Sequence, residues 1–314
     1  MDFLRILEGL RTPFLDGFFS LITEIGGETV FLVISIVFFW CINKREGYYI
    51  LLTGLFGTLL NQALKLAFRI PRPWVIDKNF TIVESAREAA TGYSFPSGHT
   101  QNVASTFGTI AVYNRKRRWV IAASLTVIVL VSFSRMYLGV HTPLDVGVSL
   151  LTSAVLVFGL YPLFSSDERF KKAFPYIVIS AVVLSAAFLA YVLLISGDKS
   201  LDPHNLESGL KNATTLLGCT MGLVLVYFID GKYTDFKTDA RWYAQIIKAV
   251  LGFAVVLLIK ELLRTPLELV FGNIYLARAV RYFLVVAFAG AVWPLTFGWF
   301  SRLRIPFLEK KEQI

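Results

Sequence analysis

Apolar stretches of near-uniform length recur along the chain, separated by short polar, basic or proline-containing breaks. About 20 consecutive apolar residues cross a bilayer as a helix. The pattern predicts nine such spans, at approximately 27–43, 48–68, 98–113, 118–136, 143–164, 174–196, 209–230, 243–264 and 278–300, the first and third being short. The opening segment differs. Asp2, Arg5, Glu8, Arg11, Asp16 and Glu24 are interleaved with its apolar residues, which predicts a helix lying in the membrane interface and no cleavable targeting segment. The fold class is therefore all-α, a polytopic membrane bundle of about nine transmembrane helices with an interfacial N-terminal helix.

Composition agrees with this. Of 314 residues 55% are hydrophobic and only 17% charged, and mean hydropathy is +0.62, which excludes an ordinary soluble domain. A net charge of +9 would suggest nucleic acid in a soluble chain, but here it reflects orientation. Alternate loops beginning with "NKREG" carry 16 Lys and Arg, against six in the opposite loops outside the motifs below. The positive-inside rule puts the first set and the C-terminus in the cytoplasm and the N-terminus outside, in a plasma or inner membrane. Cys41 and Cys219 fall in separate spans, so neither a disulfide framework nor a zinc site is indicated.

This orientation gathers the ionisable residues of five segments at the outer face. Lys65 lies at the outer end of the second span, with Arg72 between two prolines just beyond it. His99 opens the third span, Ser134 and Arg135 close the fourth, and His141 and Asp145 precede and open the fifth. Such a set suits phosphoryl transfer: cations and N–H donors neutralise phosphate oxygens, and histidine can act as nucleophile or general acid. Lys65, Arg72 and Arg135 supply charge, Ser97 a hydroxyl, and Gly98 helps shape a turn whose free N–H groups meet an anion at a helix start. Asp145, one helical turn after His141, is placed to hold that ring. It equally reads as the third residue of a capping box opened by Thr142. Lys65 also reads as a snorkelling lysine, Ser97 as a cap and Arg135 as an interfacial anchor. Those simpler readings require six independent residues to share one depth and one side.

"KLAFRIPRP" from Lys65, "PSGH" from Pro96 and "SRMYLGVHTPLD" from Ser134 fit K-x6-R-P, P-S-G-H and S-R-x5-H-x3-D. In this order they resemble the type 2 phosphatidic acid phosphatase superfamily. The resemblance implies a six-helix-type phosphatase core in residues 1–164 with the interfacial helix, and leaves the helices of 165–314 unassigned. It implies His141 as the nucleophile forming a phosphohistidine, Asp145 as its orienting partner and His99 as the acid for the leaving oxygen. Lys65, Arg72, Ser97, Gly98 and Arg135 would bind phosphate, and neither metal nor cofactor is implied.

A site at the outer face among apolar helices points to an amphiphile, either a lipid phosphate or an isoprenoid pyrophosphate such as undecaprenyl diphosphate. Substrate and membrane lipids are then the partners, and nucleic acid is not. A glucose-6-phosphatase-like sugar phosphatase, a lipid phosphotransferase and a lipid transporter remain as alternatives. Lys260, Glu261, Arg264 and Arg281, with Arg278, either line a lipid path or are snorkelling and pairing residues at the interface.

Overall fold

The computed structural model describes residues 1–304, so the end of the basic tail expected in the cytoplasm lies outside the described residues. These residues hold fourteen α-helices and no strand: α1 Asp2–Gly9, α2 Pro13–Glu24, α3 Glu28–Val37, α4 Lys44–Phe68, α5 Pro73–Ile76, α6 Gly98–Tyr113, α7 Arg118–Tyr137, α8 Pro143–Phe164, α9 Asp167–Ile195, α10 Pro203–Ile229, α11 Trp242–Leu262, α12 Arg264–Phe271, α13 Ile274–Ala287 and α14 Phe297–Arg302. Local chemistry sets many of the boundaries. Thr12, Asn43, Thr142, Ser166 and Asp202 accept from backbone N–H groups at the starts of α2, α4, α8, α9 and α10, and proline follows Thr12, Thr142 and Asp202 at the first helical position. Helix α4 ends where Arg69 turns left-handed, at φ 52°, ahead of Pro71 and Pro73.

Among the described residues six helical segments are long and apolar enough to cross a membrane: Lys44–Ile76, Arg118–Tyr137, Pro143–Phe164, Asp167–Ile195, Pro203–Thr234 and Ile274–Arg302. A seventh span arises if α2 and the segment Glu28–Ile42, which meet at 46°, cross as one. The chain is thus a multi-pass membrane protein, with fewer qualifying helices than the nine predicted. The stretch expected at 27–43 qualifies only as one arm of that bent pair. Helix α6 has 16 residues, short of a full span, and packs against α4, α7 and α8, so most of its surface meets protein. Helix α11, which carries Lys248 in its second turn, is not among the six. The N-terminal segment also forms two helices, α1 and α2, instead of one.

The C-terminal helices dock onto the first half. Helix α10 packs against α9, α13 and α4. A Cβ on Gly218 would sit 2.1 Å from the Ala279 carbonyl oxygen; glycine is what lets α10 and α13 come this close, as is usual between membrane helices. An aromatic core containing Trp40, Tyr48, Phe174, Phe236 and Phe297 joins α4 and α9 to the C-terminal segment. Polar ties cross the same seam: Lys248 Nζ donates to the Trp40 carbonyl at 2.7 Å, and Lys44 Nζ lies 2.8 Å from Asp230 Oδ1.

Candidate active site

Helix ends and the loop from Arg69 to Ser97 bring the expected residues around one cavity of about 370 Å³. Lys65, Arg72, Gly98, His99, Arg135 and His141 all line it. Asp145 and Ser97 are buried immediately behind the wall.

Arg72 organises this wall. Its guanidinium donates through Nε to the Gly92 carbonyl at 3.1 Å, through Nη2 to Thr91 at 2.7 Å and through Nη1 to Val140 at 3.0 Å, tying the loop to the turn after α7. Nη1 also lies 3.0 Å from Nε2 of His141. Arginine has only donors, so His141 accepts at Nε2 and carries its proton on Nδ1. That nitrogen is 3.4 Å from Asp145 Oδ2, longer than a good hydrogen bond. Oδ2 already accepts from the Ser94 hydroxyl at 2.6 Å and the Thr142 N–H at 2.7 Å. Asp145 thus completes a capping box with Thr142, and its carboxylate stands beside the His141 ring without a close hydrogen bond to it.

Lys65 Nζ donates to the Tyr93 carbonyl. Arg135 is fully buried and spends Nη1 on Thr23 Oγ1 at 2.8 Å, while its Nε and Nη2 keep no partner among the described residues. Unmatched buried guanidinium donors are costly unless a ligand meets them. Ser97 caps α6 by accepting from Thr100, and its own N–H donates to the Asp145 carbonyl at 3.2 Å, so it fixes the start of α6 against that of α8. His99 is half-buried, and its backbone carries Gly26 close against it: a Cβ on Gly26 would lie 2.9 Å from the His99 carbonyl oxygen.

Thr23, at the end of α2, and Gly26 and Ser94, outside any helix, were not legible as partners of the site, since a single small residue at a helix end or in a loop gives no signal. Glu24 and Glu28 also line the cavity. Among the expected residues of the C-terminal half, Arg281 donates to the Lys260 carbonyl at 3.2 Å, Lys260 lies 3.7 Å from Glu261, and Arg264 lies 3.5 Å from Glu268. Lys260, Glu261, Arg264 and Arg281 line neither this cavity nor the apolar one described below. No group of three or more His, Cys, Asp or Glu that could hold a metal occurs among the described residues.

A helical membrane bundle whose polar cavity combines three cations with two histidines defines a class suited to phosphate chemistry. The chain belongs to the PAP2 superfamily: that family's model matches residues 46–169, and the model described as "PAP2 superfamily phosphatase, transmembrane extension" matches 214–304. The chain is 28% identical over 163 residues to undecaprenyl-diphosphatase BcrC of Bacillus subtilis, covering 50% of this chain and 80% of that one. It is 32% identical over 179 residues to phosphatidylglycerophosphatase B of Bacillus subtilis, covering 52% and 80%. It is 24% identical over 210 residues to human sphingosine-1-phosphate phosphatase 2, covering 65% and 50%. No solved structure matches the chain.

Proposed function

We propose that this protein is a metal-independent phosphatase that removes phosphate from a lipid phosphate or isoprenoid pyrophosphate at the extracytoplasmic face. The observation that carries the reading is the pairing of His141 with Arg72: Nε2 bears a lone pair, the ring proton sits on the Asp145 side, and a phosphate-binding cation stands 3.0 Å away. In the first step a phosphate oxygen takes over the Arg72 Nη1 donor, which frees the Nε2 lone pair; Nε2 then attacks phosphorus while the P–O bond to the leaving group breaks. His99 gives its proton to the departing oxygen, and Asp145 stabilises the charge that grows on the His141 ring. Lys65, Arg72 and Arg135, with the Ser97 and Gly98 turn, bind the phosphate oxygens. In the second step water attacks phosphorus, the P–N bond breaks, His99 takes the water proton, and inorganic phosphate leaves. The relatives named for action on undecaprenyl diphosphate and phosphatidylglycerophosphate support a lipid substrate. Residues 1–164 then form the catalytic unit, and the described part of the C-terminal half, 165–304, an appended helical layer.

The test is phosphate release by purified protein across phosphatidic acid, undecaprenyl diphosphate, sphingoid-base phosphate and glucose 6-phosphate, with and without EDTA. Release from a lipid that survives EDTA supports the reading. Turnover of glucose 6-phosphate alone, or loss on chelation restored by Mg²⁺, contradicts it. Orientation is tested separately: Asn79→Cys and Asn205→Cys should react with an impermeant thiol reagent from outside intact cells, and Asn114→Cys should not.

A further inference from the structure

A second cavity, of about 330 Å³, adjoins the first, and Glu28, Gln62, Gly98, Asn102 and Asn212 line both. A Cβ on Gly98 would meet no atom within 4 Å, so the junction is open. Five helical segments line this second cavity: α6 meets it only with Gly98, Gln101 and Asn102, while the faces offered by α3, α4, α10 and α13 all run from polar to apolar in the same direction. Its neck holds Glu28, Gln62, Asn212 and Arg278, and its far end Phe39 and Val226. Arg278 is held at the neck by hydrogen bonds to the Lys211 carbonyl at 3.1 Å and Thr215 Oγ1 at 2.6 Å. From Asn212 to Val226 the wall formed by α10 rises roughly 21 Å at 1.5 Å per residue, which exceeds the depth of one leaflet, about 15 Å or half the hydrocarbon core.

We infer that this groove takes the single hydrocarbon tail of the substrate whose phosphate occupies the polar cavity. The inference rests on the phosphatase reading and assigns a role to the C-terminal helices, since α10 and α13 supply one wall. The continuity of the two cavities at their polar ends specifies an amphiphile, and the narrow volume drawn out over that length specifies one chain. Lipid tails are already in an apolar medium, so the groove gains little by hydrophobic transfer. Its effect is to orient the phosphate toward His141, and therefore shows in turnover of long-chain substrates.

The experiment compares kcat/KM for hexadecyl phosphate and butyl phosphate, which share the same ester chemistry, in protein reconstituted into nanodiscs. Leu223, which lines the groove from α10, is replaced in Leu223→Trp to block it. Leu194→Trp, at a position 82% exposed on α9, is the control. The wild type should prefer hexadecyl phosphate, and Leu223→Trp should lower that preference by about tenfold or more through lost positioning, with Leu194→Trp matching the wild type. Equal preference in wild type and Leu223→Trp overturns the groove alone; no phosphate release by the wild type from either ester, nor from undecaprenyl diphosphate in the same nanodiscs, overturns the phosphatase reading. Independently of any variant or of turnover, a hexadecyl phosphonate with a terminal diazirine should label residues 216–226 of wild-type protein. Labelling confined to the lipid-facing side of α8 and α9 would overturn the inference.

Discussion

The Ser94 hydroxyl donates to Asp145 Oδ2 at 2.6 Å, closer than Nδ1 of His141 at 3.4 Å. Asp145 is thus positioned by the loop before α6 as well as by its own helix. Removing one such hydrogen bond costs about 1 kcal/mol. Ser94→Ala should therefore lower kcat about fivefold, with a smaller change in KM, while Asp145→Asn loses far more. An unchanged kcat in Ser94→Ala would show that the loop does not hold this carboxylate.

Gly26 marks the break between α2 and α3 and presses on His99. A Cβ there would lie 2.7 Å from Val131 Cγ1 and 2.9 Å from the His99 carbonyl oxygen, and backbone cannot yield as a side-chain end can. Gly26→Ala should destabilise by about 1–3 kcal/mol through overpacking and displace His99. Thermal unfolding and kcat report the two effects. Wild-type values for both would show that the contact relaxes freely.

The N-terminal helix is fastened by titratable groups. Arg5 bridges Glu8 at 2.7 Å and Asp77, and Glu8 Oε1 accepts from the Thr81 N–H at 2.8 Å. Burial opposes ionisation of Glu8, but the Thr81 hydroxyl and N–H and the Arg5 guanidinium outweigh it and hold its carboxyl at about 2, below the ordinary 4.5. Because the folded value is the lower one, docking of α1 is fully supported above about 4.5 and is lost as pH falls from there towards about 2. Hydrogen exchange of residues 2–9 should accelerate across that window, beyond the intrinsic pH effect, and Glu8→Gln should exchange fast at every pH. Flat protection in the wild type would contradict this.

The motif residues were legible because their spacings fix them at helix ends. Lys65 is one turn from the end of α4, His99 is in the first turn of α6, and Arg135 and His141 bracket the turn from α7 to α8. Helices that alternate in direction return such ends to one level. The partners that hold them were not legible. Thr23 reaches Arg135 through the bend between α2 and α3, and Ser94 reaches Asp145 across 51 residues from a loop without periodicity. The sequence predicts nine spans where six or seven helical segments of the described residues pass on length and composition, and hydropathy alone does not distinguish lipid from protein as the surroundings of a helix. α6 is apolar enough to suggest crossing, but α4, α7 and α8 surround it. In the C-terminal half, charge near a span end did not reveal which way a residue faces. Arg278 lines the apolar cavity, whereas Lys260 and Arg281 engage each other away from it.

The two histidines make different demands on the substrate. A general acid contributes about 10²–10⁴-fold, and most where the leaving oxygen is basic. His99→Ala should lose roughly that much on an alkyl phosphate and visibly less on nitrophenyl phosphate. Gly26→Ala should share this selectivity if it acts by displacing His99. Equal losses on both esters would remove His99 from the role of acid.

The most direct test of the account is the phosphoenzyme. Protein quenched in acid-free denaturant during turnover of a ³²P-labelled lipid phosphate should carry acid-labile, base-stable phosphate on the peptide containing His141. His141→Ala should carry none, and His99→Ala should still form it from an activated ester. Label that persists in His141→Ala, or that maps to any other residue, would contradict nucleophilic attack by His141.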